Sequence, residues 1–245
     1  MLMKRKLIKF RVLLLIILLL SGFLYSCDES SVVDNCVKKW VLNNFQSVAI
    51  SFDGGDMAMA SSSLTFGTPT TIQYHDTIQG DFEIIVDFES FFYTAPGLWF
   101  FVSLTANALE SSSPNNYMTA GIGTVTPNTS NNGTTQIFAA VDSTGNTPNT
   151  SNGQYIQIGG NTSGQFRIRR SGTSIDVITI SGTFVAQRNL NNFYTSPIVF
   201  AILYGSNFPN TPPYSSSIRI TNFRYVQGST LVDSDIFDCN SLQWS

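Results

Sequence analysis

Apolar and polar residues alternate along most of this chain with a period of two. That is the signature of strands with one face buried and one face in water. The clearest case is Gly80–Glu89. Phe82, Ile84, Val86 and Phe88 would point to the core, and Asp81, Glu83, Ile85, Asp87 and Glu89 away from it. A helix, with its period of 3.6, cannot sort those two sets onto opposite faces. Val48, Ile50 and Phe52 share a face in the same way, and Ile72 and Tyr74 alternate with Gln73 and His75. Leu98–Thr105 is apolar on both faces at its start, which predicts a central strand. Further strands are expected at Tyr117–Val125, Thr135–Val141, Gln154–Ile158, Gln165–Arg170, Ser174–Ile180, Thr183–Arg188, Ile198–Tyr204 and Ser217–Val226.

Turn chemistry separates these runs. Asp53-Gly54-Gly55-Asp56, Asn132-Gly133, Asn152-Gly153, Ser171-Gly172 and Ser181-Gly182 supply residues that tolerate positive φ. Many short strands without a long amphipathic helical stretch predict an all-β sandwich or barrel. Thr-Pro-Asn-Thr-Ser-Asn occurs twice, at Thr126–Asn131 and Thr147–Asn152. Two copies of a polar loop do not make a solenoid, which needs three or more whole units.

The first residues follow another pattern. Lys4, Arg5, Lys6, Lys9 and Arg11 precede an unbroken apolar run, Val12–Leu20, and apolar character continues to Tyr25. The run is shorter than the ~20 residues of a membrane-spanning helix and fits a secretory signal. Leu24, Ser26 and Cys27 resemble the lipobox of bacterial lipoproteins, with Tyr25 where a small residue is usual. The resemblance implies cleavage before Cys27 and lipidation of Cys27 itself. Residues 1–26 are then a signal peptide, 27–36 a lipidated tether and 37–240 a single β-sandwich domain. Asp28 and Glu29 resemble the sorting signals of some lipoproteins. The expected location is the cell envelope, anchored to a bacterial membrane, at the outer membrane or the cell surface.

Removing the leader changes the charge. The whole chain has 13 Lys+Arg against 16 Asp+Glu, net −3. The leader holds five of the basic residues and none of the acidic ones, so the mature chain carries −8. That excludes a nucleic-acid partner, whose binding needs Lys and Arg on phosphates. Charged residues make up only 12% of the chain, so its polarity comes from hydroxyls and amides that suit neutral polar ligands. Three cysteines are present. With Cys27 lipidated, Cys36 and Cys239 remain as a pair, which outside the cytoplasm tends to oxidise.

Three stretches carry a second resemblance. They are Gly80-Asp81-Phe82-Glu83-Ile84-Ile85-Val86-Asp87-Phe88, Phe166-Arg167-Ile168-Arg169-Arg170-Ser171-Gly172 and Ile218-Arg219-Ile220-Thr221-Asn222-Phe223-Arg224. Their order and content resemble concanavalin A-like lectin/glucanase domains. The resemblance implies a two-sheet antiparallel jelly-roll β-sandwich, with glycans bound in a concavity or on rim loops.

Against this background the sequence offers little catalytic chemistry. Laminarinase-like enzymes of this fold carry Glu-x-Asp-x-Glu on one strand. Here Ile85 stands in place of the first Glu, ahead of Asp87 and Glu89. His75 is the single histidine and has no nucleophile motif beside it. No Cys/His cluster suggests zinc. Asp53–Asp56 and Asp142–Asn146 place oxygen donors in loops, as calcium prefers, but ordinary turns account for both. The expectation is therefore no catalytic residue, no metal, no cofactor and no enzymatic activity.

Aromatic loops are the remaining signal: Phe91–Gly97 and Asn207–Tyr214. Tyr93, Phe208 and Tyr214, with Asn207 and Asn210, are the candidate glycan contacts, since rings and amides together suit sugars. The expected function is a lectin-like, non-catalytic glycan-binding module. Its alternatives are a structural or assembly lipoprotein that meets another envelope protein, or a divergent glycan-cleaving enzyme.

Overall fold

A computed structural model describes residues 38–43, 48–52, 54–61, 70–93, 100–108, 117–124, 135–142, 153–157, 162–190, 197–206, 216–238 and 242–244. In chain order the strands are β1 (Trp40–Asn43), β2 (Val48–Phe52), β3 (Met57–Ser61), β4 (Thr70–Tyr74), β5 (Phe82–Tyr93), β6 (Phe100–Ala108), β7 (Tyr117–Thr124) and β8 (Thr135–Asp142). There follow β9 (Gly153–Gln157), β10 (Gly164–Ser171), β11 (Ser174–Ser181), β12 (Phe184–Leu190), β13 (Ile198–Ser206), β14 (Ser216–Gln227), β15 (Thr230–Asp235) and β16 (Leu242–Trp244).

They form two sheets. One runs β16-β1-β4-β13-β6-β7-β8-β9 and the other β12-β11-β10-β5-β14-β3-β2, with β15 added to the far half of β14. Every strand pair is antiparallel except β1 with β16, where Trp40 lies opposite Leu242. Contacts group Cys36–Ser245 as one compact unit, apart from Met1–Asn35. The parallel partner β16 carries the first sheet past residue 240.

Alternation explains the packing. Phe82, Ile84, Val86 and Phe88 are buried between the sheets, as are Phe166 and Ile168 of β10 and Ile218, Ile220 and Phe223 of β14. Phe88 stacks on Phe166 with ring centres 4.3 Å apart. Near the start of the domain a second aromatic group closes the sandwich. Trp40 meets Phe223 at 4.9 Å, and Tyr74 stacks on Phe200 at 4.8 Å. Between the sheets at their other side, the Thr179 hydroxyl donates to the Phe138 carbonyl at 2.5 Å. The chain reverses between the antiparallel β2 and β3, with Gly54 and Gly55 at φ 67° and 102°.

Several expectations fall outside the described residues. These are the signal peptide 1–26, Cys27, the tether 27–36, Cys36, Cys239, both copies of the hexapeptide repeat, and Asn207, Phe208, Asn210 and Tyr214. Of Tyr93, only the backbone is described.

Candidate functional site

The outward face of β5 carries the carboxylates Glu83, Asp87 and Glu89. Its register sets Arg167 of β10 and Arg224 of β14 on either side of Ile85. The stems of two long side chains there account for an outward isoleucine that is only 8% exposed. Asp87 accepts hydrogen bonds from Gln165 Nε2 at 2.7 Å, Asn222 Nδ2 at 3.2 Å and Arg224 Nη2 at 2.8 Å. Glu83 faces Arg167 Nε at 3.4 Å. Arg219 forks onto Asp56 and reaches Glu89 at 3.7 Å.

Farther along the same face, Asp176 accepts from Arg169 and Asn189. Burial pushes the Asp176 carboxyl up, but those two hydrogen bonds outweigh it and leave the carboxyl below its usual range. The Asp176 hydrogen bond in turn raises Arg169. Glu83, Asp87 and Glu89 thus sit in a lattice of cross-strand partners.

His75 lies beside the Tyr74 ring at 4.9 Å, with Nδ1 3.1 Å from Asp76 Oδ1, on an exposed turn. Among the described residues, no group of three or more His, Cys, Asp or Glu side chains comes together to hold a metal. Asp56, from the loop considered for calcium, spends its Oδ2 on Arg219, and its buried Oδ1 has no hydrogen-bond partner.

The strand ends beside the two aromatic loops lie together. Tyr93, the last residue of β5, pairs with Ser216, the first of β14. In the other sheet Ser206, the last residue of β13, pairs with Phe100, the first of β6. The connections 94–99 and 207–215 therefore both cross between sheets from neighbouring positions. Tyr204 ties their base. It is buried in β13, and its hydroxyl donates to the Ser216 carbonyl at 2.9 Å and lies 2.7 Å from Ser216 Oγ. Burial raises its phenol, so it stays neutral.

One aromatic at this end is fully described and was not singled out from the sequence. Phe92 is 53% exposed, whereas its neighbour Phe91 is buried at 2%. Strict alternation from Phe82 would place Phe92 inside. Ser90 adopts φ 55°, and the β5–β14 register steps from Glu89↔Arg219 to Phe92↔Ser217. That bulge puts two residues of β5 against one of β14 and reverses the facing of all that follows. No turn dipeptide marks it, so the residues alone did not reveal it.

No family model matches the sequence, and no curated protein matches it. Solved structures do share the architecture. A functionally unknown protein from Saccharomyces cerevisiae aligns with a TM-score of 0.53 at 7% identity, over 78% of this chain and 98% of that one. A legume lectin-like domain from Entamoeba histolytica aligns at 0.48 and 11% identity, over 77% and 90%. The Bacteroides ovatus mixed linkage glucan GH16 in complex with its G4G4G3G product aligns at 0.47 and 10% identity, over 76% and 95%.

These neighbours correct one expectation. The sequence argued against an enzyme because Ile85 breaks a carboxylate motif. Glycan-cleaving proteins stand among the structures that align with this chain, and the lack of an enzymatic role does not follow from that one residue. The physical reason is that two carboxyl groups flanking a bond need only the right separation. They can come from different strands, and one missing glutamate on β5 does not exclude them. The chain is a two-sheet antiparallel jelly-roll β-sandwich, a fold it shares with the Saccharomyces cerevisiae protein.

Proposed function

We propose that this domain binds a glycan at the end of the sandwich where the connections 94–99 and 207–215 leave. The observation that carries the reading is the pairing of Tyr93 with Ser216 beside an exposed Phe92. It brings the roots of both aromatic loops to one place. Tyr93, Phe208 and Tyr214 supply rings for the apolar faces of sugars, and Asn207 and Asn210 supply amides for hydroxyls. Phe92 adds a ring at the same rim. With a mature charge of −8, the ligand is a neutral or weakly basic polysaccharide.

The reading includes the anchor. Lys4, Arg5, Lys6, Lys9 and Arg11, the run Val12–Leu20 and Leu24–Cys27 support secretion and lipidation at Cys27. The glycan would then be one met at the cell envelope.

Affinity electrophoresis through gels containing neutral polysaccharides tests the binding. At least one polysaccharide should retard the wild-type domain. Phe92→Ala and Tyr214→Ala should run as they do in a blank gel while keeping the wild-type melting temperature. Assay of released reducing ends in the same panel reports cleavage. No retardation by any polysaccharide, or unchanged retardation of both variants, overturns the proposal.

A further inference from the structure

β14 and β15 form a hairpin through Gly228, at φ 58°. Within it the pairing slips. Tyr225 lies opposite Asp233 and Val226 opposite Leu231, so Val232 is an extra residue. A regular strand would turn one of two consecutive residues to cover. The bulge leaves both in water, Leu231 at 55% and Val232 at 48% exposure. Ile236, just past the strand, is 56% exposed. Three of the six exposed large hydrophobics among the described residues thus fall within Leu231–Ile236.

Among the described residues β15 pairs with β14 alone, so its outer edge is open. A bulge twists such an edge and opposes the addition of another strand. The apolar residues are therefore not arranged for a second copy of this sheet.

The chain enters the domain at the same place. Lys39 Nζ donates to Asp233 Oδ1 at 2.7 Å and to the Ser234 carbonyl, both in β15. Cys27 precedes Lys39 by twelve residues, which span at most about 40 Å. Whatever surface holds Cys27, this side of the domain is tethered to it.

We infer that Leu231, Val232 and Ile236 rest on the lipid bilayer, seating the domain with its β14–β15 hairpin toward the membrane. The inference rests on the lipid-anchor reading and goes beyond it, since an anchored domain need not touch its membrane. Aliphatic side chains of this kind enter the boundary between headgroups and acyl chains. Exposed Asp238 and the overall negative charge oppose anionic headgroups, so the contact belongs to zwitterionic lipid.

The test uses the full, processed chain in liposomes of phosphatidylethanolamine and phosphatidylcholine. A photo-crosslinking benzophenone amino acid replaces Leu231, Val232 or, as control, Ala49. Ala49 is exposed on β2 and is aligned through Ala60 with Ser217, at the opposite end of β14. After irradiation, lipid adducts should be at least tenfold more abundant at positions 231 and 232 than at 49. A chain that floats with the liposomes but shows equal or no adducts keeps its anchor and sinks the contact alone. A chain that neither floats nor carries lipid at Cys27 by mass sinks both.

Discussion

The Tyr74 hydroxyl donates a 2.6 Å hydrogen bond to Asp233 Oδ2, joining β4 of one sheet to β15 of the other. Lys39 holds the second oxygen of the same carboxylate at 2.7 Å. Next to this pair, the Trp40 indole donates to Asp235 Oδ2 at 2.9 Å. Two aspartates of one short strand thus fasten the entry of the domain. Burial pushes the Asp233 carboxyl up, but Lys39, Tyr74 and the Ser234 amide outweigh it and leave it below its usual range. Burial first, and then the Asp233 hydrogen bond, push the Tyr74 phenol up.

That arrangement has a definite pH dependence. A carboxyl whose folded pKa lies below its unfolded one contributes stability that is complete above the unfolded value, about 3.9. It is lost as pH falls through the folded value. Asp233 and Asp176 both act in this direction. Asp233→Asn should cost about 2 kcal/mol at neutral pH, the scale of a charged hydrogen bond. It should also remove part of the loss of stability on acidification below about pH 4. Thermal unfolding of both proteins from pH 7 to pH 2.5 checks this. Parallel acid limbs would refute it.

The bulge at Ser90 predicts opposite fates for adjacent phenylalanines. Phe91→Ala empties a core position and should cost about 3–5 kcal/mol. Phe92→Ala should change stability by no more than about 0.5 kcal/mol. Urea unfolding of the two variants measures both, and equal losses would mean that Phe92 is not a surface ring.

A disulfide between Cys36 and Cys239 is expected. Trp40 and Leu242 are parallel partners, and the cysteines precede them by four and three residues. Closing a loop of about 200 residues stabilises by up to about 5 kcal/mol in the chain-entropy picture. Peptide mapping without reductant should recover the cross-linked pair. Two free thiols would reject it.

Lipidation at Cys27 is expected from the leader. Metabolic labelling with an alkyne fatty acid should mark the wild-type chain. Equal labelling of Cys27→Ala would rule that cysteine out as the acceptor.

Much of the sandwich could be read from alternation, and the limits of that reading are physical. Phe82 to Glu89 sort onto their faces as the pattern predicts because β5 itself has no extra residue there, the one opposite Phe88 and Asp87 falling on β14. Past Ser90 the pattern misleads, since a bulge shifts the period without changing composition. β1 and β16 were missed because four and three residues are too few to show a period. β15 was missed because it spreads Leu231, Val232, Asp233, Ser234 and Asp235 without alternation, its aspartates being the inward ones. At the proposed site, the aromatic loops stood out by composition. The nearness of their roots did not, because it depends on which strands pair across about 120 residues of chain.

The parallel pairing of β1 with β16 sets an order of events for a chain that emerges amino end first. Among the described strands these are the earliest and the latest, and they are neighbours at one border of a sheet. Until Leu242–Trp244 arrives, that side of β1 has no strand partner, however complete the strands between may be. The final seam of the sheet is therefore sewn from the two ends of the domain at once. A chain whose last strand has not yet been made cannot finish it, so this sheet closes only after Leu242–Trp244 has been added.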